Sequence, residues 1–287
     1  MILQLSDITK SYSKEKNKRN ALESFTLEMT EGVYGLLGPN GAGKSTLINI
    51  ITGIIAKDGG KIFYDCEGDH NYLSHLGFMP QGIGFYRNFT AHDYIKYIMT
   101  LKKYSPADPD KYAMEILEKV NLQEDAYKKI GAFSGGMKQR LGIAQAIVGD
   151  PKVLIFDEPT AGLDAMERIR FRNVISSFAA DKIVILATHI VTDIAFIAKT
   201  VVLMNKGRII KAASQKELCA DIEGKVWELE TEPSRVTELM SKMQVSNAVS
   251  VGGKYKLRVI SDACPCEGAV SAEPSLEDVC IYWFGEM

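Results

Sequence analysis

The chain has no apolar run near the about 18 consecutive residues that a membrane-crossing helix needs. Its best candidates, 47 to 56 and 183 to 191, are far shorter, so no bilayer span is expected. Cysteine is scarce and odd in number: of the five, Cys66, Cys219 and Cys280 stand apart, which speaks against a disulfide framework. Cys264-Pro265-Cys266 has no second Cys or His pair nearby, because none of the four histidines is close in sequence, and a zinc site is not expected. Charge of one sign is also lacking. A formal net charge of −2 gives no overall field for holding nucleic acid or an anionic membrane, so no direct nucleic-acid binding is expected and any membrane role has to pass through a partner. The densest basic stretch, Lys14, Lys16, Lys18 and Arg19, is interrupted by Glu15 and two asparagines between strand-like segments and reads as a solvated hairpin loop. The N-terminal residues have neither a basic nor an apolar region of secretory type, and a cytoplasmic location is expected.

What is present suits a globular α/β chain. Its 287 residues, 46% of them hydrophobic, are enough for one large domain, expected at 1–220, and a small accessory one at 224–287. Alternation over 2–8, then 21–29, and the apolar run 33–37 predict strands. After Lys44 the spacing of Leu47, Ile48, Ile50, Ile51 and Ile54 predicts a helix, and 94–103 and 110–120 predict two more within a helical subdomain at about 84–145. The runs 153–156 and 183–186 are rich in β-branched residues, as strands covered on both faces of a mostly parallel sheet are. Residues 200–204, the Asn205-Lys206-Gly207 turn and Arg208-Ile209-Ile210 predict a hairpin, and past 224 a small β-α-β appendage is expected.

Gly38-Pro39-Asn40-Gly41-Ala42-Gly43-Lys44-Ser45, followed by Thr46, fits G-x-x-x-x-G-K-[ST] between a predicted strand and a predicted helix. Glycines there let backbone N–H groups wrap a phosphate, Lys44 brings a mobile cation to the β- and γ-phosphates, and the Ser45 hydroxyl suits Mg²⁺. Asp157-Glu158 follows a buried strand at its C-terminal end, where open α/β sheets bind ligands. In that setting Asp157 serves as a metal holder and Glu158 as the general base that takes a proton from the attacking water.

With these in place, Phe133-Ser134-Gly135-Gly136-Met137-Lys138-Gln139-Arg140 resembles the signature sequence of the ATP-binding cassette (ABC) family. Residues 157–164 resemble that family's second nucleotide motif running into its D-loop, which ends at Asp164. Gln81 matches the Q-loop glutamine, His189 the switch histidine, and Tyr12 the aromatic that stacks on adenine. Met137 departs from the glutamine usual at the end of the signature, but Ser134 and the N–H groups of Gly135 and Gly136 still stand at the start of a helix, where they suit a γ-phosphate.

The resemblance implies an ABC-type P-loop fold: a mostly parallel sheet with an antiparallel β subdomain, a helical subdomain and, here, an α+β appendage. It implies ATP and Mg²⁺ as cofactors, with Ser45, Gln81 and Asp157 near the metal, and catalysis by Lys44, Glu158 and His189. It also implies a head-to-tail homodimer or heterodimer of cassettes, bound to integral membrane permease subunits at the inner face of the cell membrane. Phe85, Tyr86 and Phe89 read equally as a docking groove for such subunits or as subdomain core. The chain resembles the ATPase subunits of bacterial multidrug, antibiotic-peptide and other export systems; the alternatives are a soluble ABC ATPase on ribosomes or DNA, and a non-catalytic nucleotide switch.

Overall fold

The computed structural model describes all residues except 15, 16, 67, 69, 286 and 287, and the side chains of 13–19 lie outside the description, which removes the basic hairpin cluster from it. Strands β1 (Ile2–Lys14), β2 (Asn17–Met29) and β3 (Gly32–Leu37) lead into helix α1 (Lys44–Ile51), followed by β4 (Gly59–Asp65) and β5 (Leu76–Met79). Helices α2 (Ala91–Leu101), α3 (Pro109–Lys119) and α4 (Gly135–Ile147) form the helical region. Then come β6 (Val153–Asp157), α5 (Ala165–Phe178), β7 (Ile183–Ala187), α6 (Val191–Ile197), β8 (Thr200–Asn205), β9 (Arg208–Ala213) and α7 (Gln215–Ala220). The chain closes through β10 (Val226–Thr231), α8 (Pro233–Lys242), β11 (Gln244–Val251), β12 (Lys254–Ile260), β13 (Val270–Ser271) and α9 (Leu276–Phe284).

The central sheet runs β5-β6-β7-β3-β8-β9, parallel except for β9, and a three-stranded antiparallel sheet runs β2-β1-β4. Alternation along the central strands explains their unbroken apolar runs. Leu154, Phe156, Val184, Leu186, Val201 and Leu203 face the helical side, while Val153, Ile155, Ile183, Ile185, Val202 and Met204 face α1 and the antiparallel sheet. Every one of them is buried, and complete burial stabilises each aliphatic side chain by roughly 1.5–3 kcal/mol. Gly35 of β3 lets α6 approach closely, because a Cβ there would lie 2.5 Å from Ile194 Cγ2. Among the described residues no helix is long and apolar enough to cross a membrane.

The helical region forms where its spacing predicts. Thr90, Asp108 and Ser134 cap α2, α3 and α4, each accepting a backbone N–H through its side chain. Phe85 packs edge-on to Tyr94 at 5.2 Å, and Tyr86 and Phe89 both meet Tyr97. Phe85 and Phe89 are partly buried against the core and Tyr86 is exposed, so most of this aromatic group is subdomain packing.

The appendage corrects the β-α-β expectation. Its sheet has four antiparallel strands in the order β11-β12-β10-β13, and a closing helix follows. Strand β11 lacks an apolar alternation, having mostly exposed side chains. The signal for it was the Gly252-Gly253 pair, which turns β11 into β12 with both glycines at positive φ. The closing helix α9 does not stay with the appendage alone, since Leu276, Val279 and Cys280 join the apolar cluster of the central sheet.

Candidate functional site

The loop from Gly38 to Gly43 connects β3 to α1 at the C-terminal edge of the central sheet. Gly41 and Gly43 have φ of 81° and 107°, and a Cβ on Gly43 would also meet the Ala21 carbonyl oxygen at 2.6 Å. Unlike α2, α3 and α4, α1 has no side-chain cap, and like α4 it has no acidic residue in its first turn. Its first amide donors and positive dipole end are therefore available to an anion.

Next to this turn lies a cavity of about 350 Å³ lined by Tyr12, Ala21, Asn40, Gly41, Ala42, Gly43, Lys44, Ser45, Thr46, Gln81 and Glu158. A second hollow of about 460 Å³ shares Asn40, Gln81 and Glu158 and adds Gly38, Pro39 and His189. Residues far apart in sequence, from Tyr12 to His189, thus line two hollows that share three residues. Lys44 donates to the Gly38 carbonyl at 2.5 Å and approaches that of Pro39 at 3.4 Å. Burial pulls its ammonium below the usual lysine range, opposed by the charges of Glu158 and Asp157. Burial, with Glu158 adding to it and Lys44 opposing, holds the Asp157 carboxyl above the usual range. A divalent cation would relieve that cost, so the donor set fits Mg²⁺.

Glu158 sits at φ 49°, a left-handed conformation that costs a non-glycine residue on the order of 1 kcal/mol. Its N–H donates to the Ala187 carbonyl at 2.8 Å, which aims the side chain at the end of β7. There Thr188 donates its hydroxyl to Glu158 Oε2 at 3.2 Å, and His189 Nδ1 lies 2.9 Å from the same oxygen. Thr188 is fully buried and its Oγ also accepts the Ile190 N–H at 3.0 Å. It joins the carboxylate to the start of α6, and no sequence motif marks it.

Asp157 lines neither hollow, and four further expected site residues also lie outside them within one chain. Ser134 and Gly135 are exposed at the N-terminus of α4, where Ser134 Oγ accepts the Met137 N–H at 3.2 Å, and Gly136 follows them. Asp164 caps α5, accepting the Glu167 N–H at 2.8 Å. Met137 packs its thioether against the core, so the atypical side chain is accommodated inward.

Comparison with known proteins agrees with this geometry. The family model described as ABC transporter matches residues 22–161. The linearmycin resistance ATP-binding protein LnrL of Bacillus subtilis is 33% identical over 228 residues, covering 78% of this chain and 72% of that protein. The lantibiotic transport ATP-binding protein SrtF of Streptococcus pyogenes is 34% identical over 212 residues, covering 73% of this chain and 89% of that protein. Among solved structures, the dimeric structure of MJ0796, a bacterial ABC transporter cassette, superposes with a TM-score of 0.65 at 25% identity, covering 74% of this chain and 98% of that one. With a phosphate-type loop and paired carboxylates on one sheet edge, a capped signature helix outside that cavity, and relatives matched over most of their length, the chain belongs to the ABC transporter family as one of its ATP-binding proteins.

Proposed function

We propose that two copies of the chain, or this chain and a similar cassette, close head to tail around MgATP, that hydrolysis reopens them, and that the cycle drives export through separate integral membrane subunits. The observation that carries this reading is a separation: Lys44, Glu158 and His189 share one hollow region, while Ser134 and Gly135 lie exposed on another element outside it. A nucleotide gripped by both sets has to take one of them from a second copy. The export direction follows the relatives, whose names speak of resistance and of lantibiotic transport. Residues 1–220 would form the cassette and 224–287 an accessory unit, with the protein peripheral on the inner face of the membrane through its partners.

In this reading Tyr12, 48% exposed beside the cavity, stacks on the adenine ring. Lys44 exchanges its loop carbonyls for phosphate oxygens, and the uncapped first turn of α1 supplies N–H donors. Ser45, Gln81 and Asp157 would hold a magnesium ion, which when bound would supply neutralising charge to the triphosphate. Glu158 accepts the proton of the attacking water on its carboxylate, which Thr188 and His189 hold in place. Gln81 and His189 flank Glu158 and orient that water.

Steady-state ATPase activity of the wild type beside Glu158→Gln tests the chemistry, and equal turnover would remove Glu158 from the role of base. Size-exclusion chromatography tests the assembly: Glu158→Gln with ATP should elute as a dimer and Lys44→Ala as a monomer. For the transport role, the tagged chain is purified from native membranes in mild detergent and washed with high salt. A stoichiometric multi-span protein supports the transport role, whereas ribosomes or DNA-associated factors without one would overturn it in favour of a soluble ATPase.

A further inference from the structure

We propose that Glu167 is a positioning residue that locks the N-terminus of α4 to the first turn of α5, and so sets Ser134, Gly135 and Gly136 where a second copy's nucleotide meets them. The inference rests on the head-to-tail reading above.

Glu167 sits one turn beyond Asp164, which caps its backbone N–H at 2.8 Å. Its side chain lies across α4. A Cβ built on Gly136 would fall 2.8 Å from Glu167 Cδ and 2.9 Å from its Cγ and Oε2. One turn further along α4, Arg140 Nε stands 3.5 Å from Glu167 Oε2, and the two side chains are only 14% and 15% exposed. Arg140 also donates through Nη1 to the Asn121 carbonyl at 2.6 Å, which extends the tie to the end of α3. On the other side, Arg170 donates to Glu167 Oε1 at 2.6 Å.

Two consequences follow from this geometry. Glu167 is flanked by two guanidinium groups, so its charge is compensated beside a helix N-terminus whose positive end has to receive a phosphate. The two signature glycines also separate in purpose. An added Cβ on Gly135 meets nothing within 4 Å, which leaves its open side to a ligand, while one on Gly136 would press into the Glu167 side chain and force it to move. The carboxylate thus sets the spacing between the two elements that the family resemblance places against the partner's nucleotide. Removing it leaves Arg140 mostly buried without its counter-charge and frees α4 to shift against α5.

Because Glu167 acts on the partner's site, its loss should be complemented in trans. All chains carry Glu158→Gln to stop turnover, and differently tagged chains are mixed with MgATP, captured through both tags and assayed for retained nucleotide. Glu167→Ala alone should bind ATP in its own cavity as the parent does but form the ATP-dependent dimer at least about tenfold more weakly. Mixed with Lys44→Ala, it should retain as much nucleotide as the parent mixed with Lys44→Ala, since the one working cavity then faces an intact signature helix. If that mixture retains none while the parent mixture does, Glu167 acts on its own chain's site and the proposal fails. It fails equally if Glu167→Ala dimerises as the parent does. Absence of any ATP-dependent dimer in the parent would instead overturn the head-to-tail reading. Glu167→Gln, which keeps the shape without the charge, should give an intermediate defect and serves if Glu167→Ala does not fold.

Discussion

Asp157 and Asp278 are both carboxylates whose largest perturbation is burial, and they end on opposite sides of the ordinary aspartate value. Asp157, at the nucleotide edge, is pushed up because Glu158 adds to the burial cost and only Lys44 opposes it. Asp278, on α9, is fully buried yet pulled down, because Arg258, Ser246 and Ser275 together outweigh the same cost. It accepts from Arg258 Nε and Nη2, from the Ser246 hydroxyl, and from the Ser275 hydroxyl and N–H. The appendage therefore carries a saturated charge network that ties α9 to β11 and β12. The cassette edge carries an unsaturated one, with a strained Glu158 and a lysine turned onto its own loop. A network complete by itself is architecture, and one that lacks its counter-charge is prepared for a ligand.

Substitutions can break or sharpen that contrast. The largest effect falls on chemistry: Glu158→Gln should lower ATP turnover by about 10²–10⁴-fold without loss of ATP binding, checked by phosphate release and nucleotide titration. Next, Asp278→Asn should destabilise the protein by about 3 kcal/mol in urea unfolding, because it leaves Arg258 without its main partner in a half-buried site. Asp157→Asn should have the opposite sign without nucleotide, raising stability by up to about 1 kcal/mol while abolishing the extra stability that MgATP confers; calorimetry with and without ligand reads both.

Acid separates the two carboxylates further. A carboxyl with a lowered folded value contributes stability above the ordinary 3.8 and loses it as pH falls through the folded value, so the advantage of wild type over Asp278→Asn should shrink below about pH 4. For Asp157 the folded value is raised. Its disadvantage against Asp157→Asn is present above that value, shrinks as pH falls through it and disappears below 3.8, where both states become protonated. The smallest effect is expected at the signature helix, where Met137→Gln should change unfolding free energy by no more than about 1 kcal/mol and leave turnover in place.

Much of this was legible along the chain because local physics wrote it there. The glycine loop before α1, the doubly buried strands β6 and β7, and the helical spacing after Lys44 all require particular residue types at short spacing. Strand β11 was not legible: its residues Gln244–Val251 sit on a sheet edge, mostly exposed, and carry no alternation to read. Nor was Thr188, whose role depends on β6 and β7 being neighbours in the sheet. Glu167 is likewise an ordinary helical glutamate until α4 is laid beside α5.

The sequence by itself determined the P-loop, the paired carboxylates, the signature helix and the α/β class, because glycine conformation, helix capping and side-chain period act within a few residues. Only the tertiary structure decided which of these meet. It joined Glu158 to Thr188 and His189, kept Ser134 out of the same chain's cavity, and anchored α9 both in the central core and on the appendage. Those outcomes depend on strand order and helix packing, through which residues distant in sequence share one hydrogen bond or one buried charge.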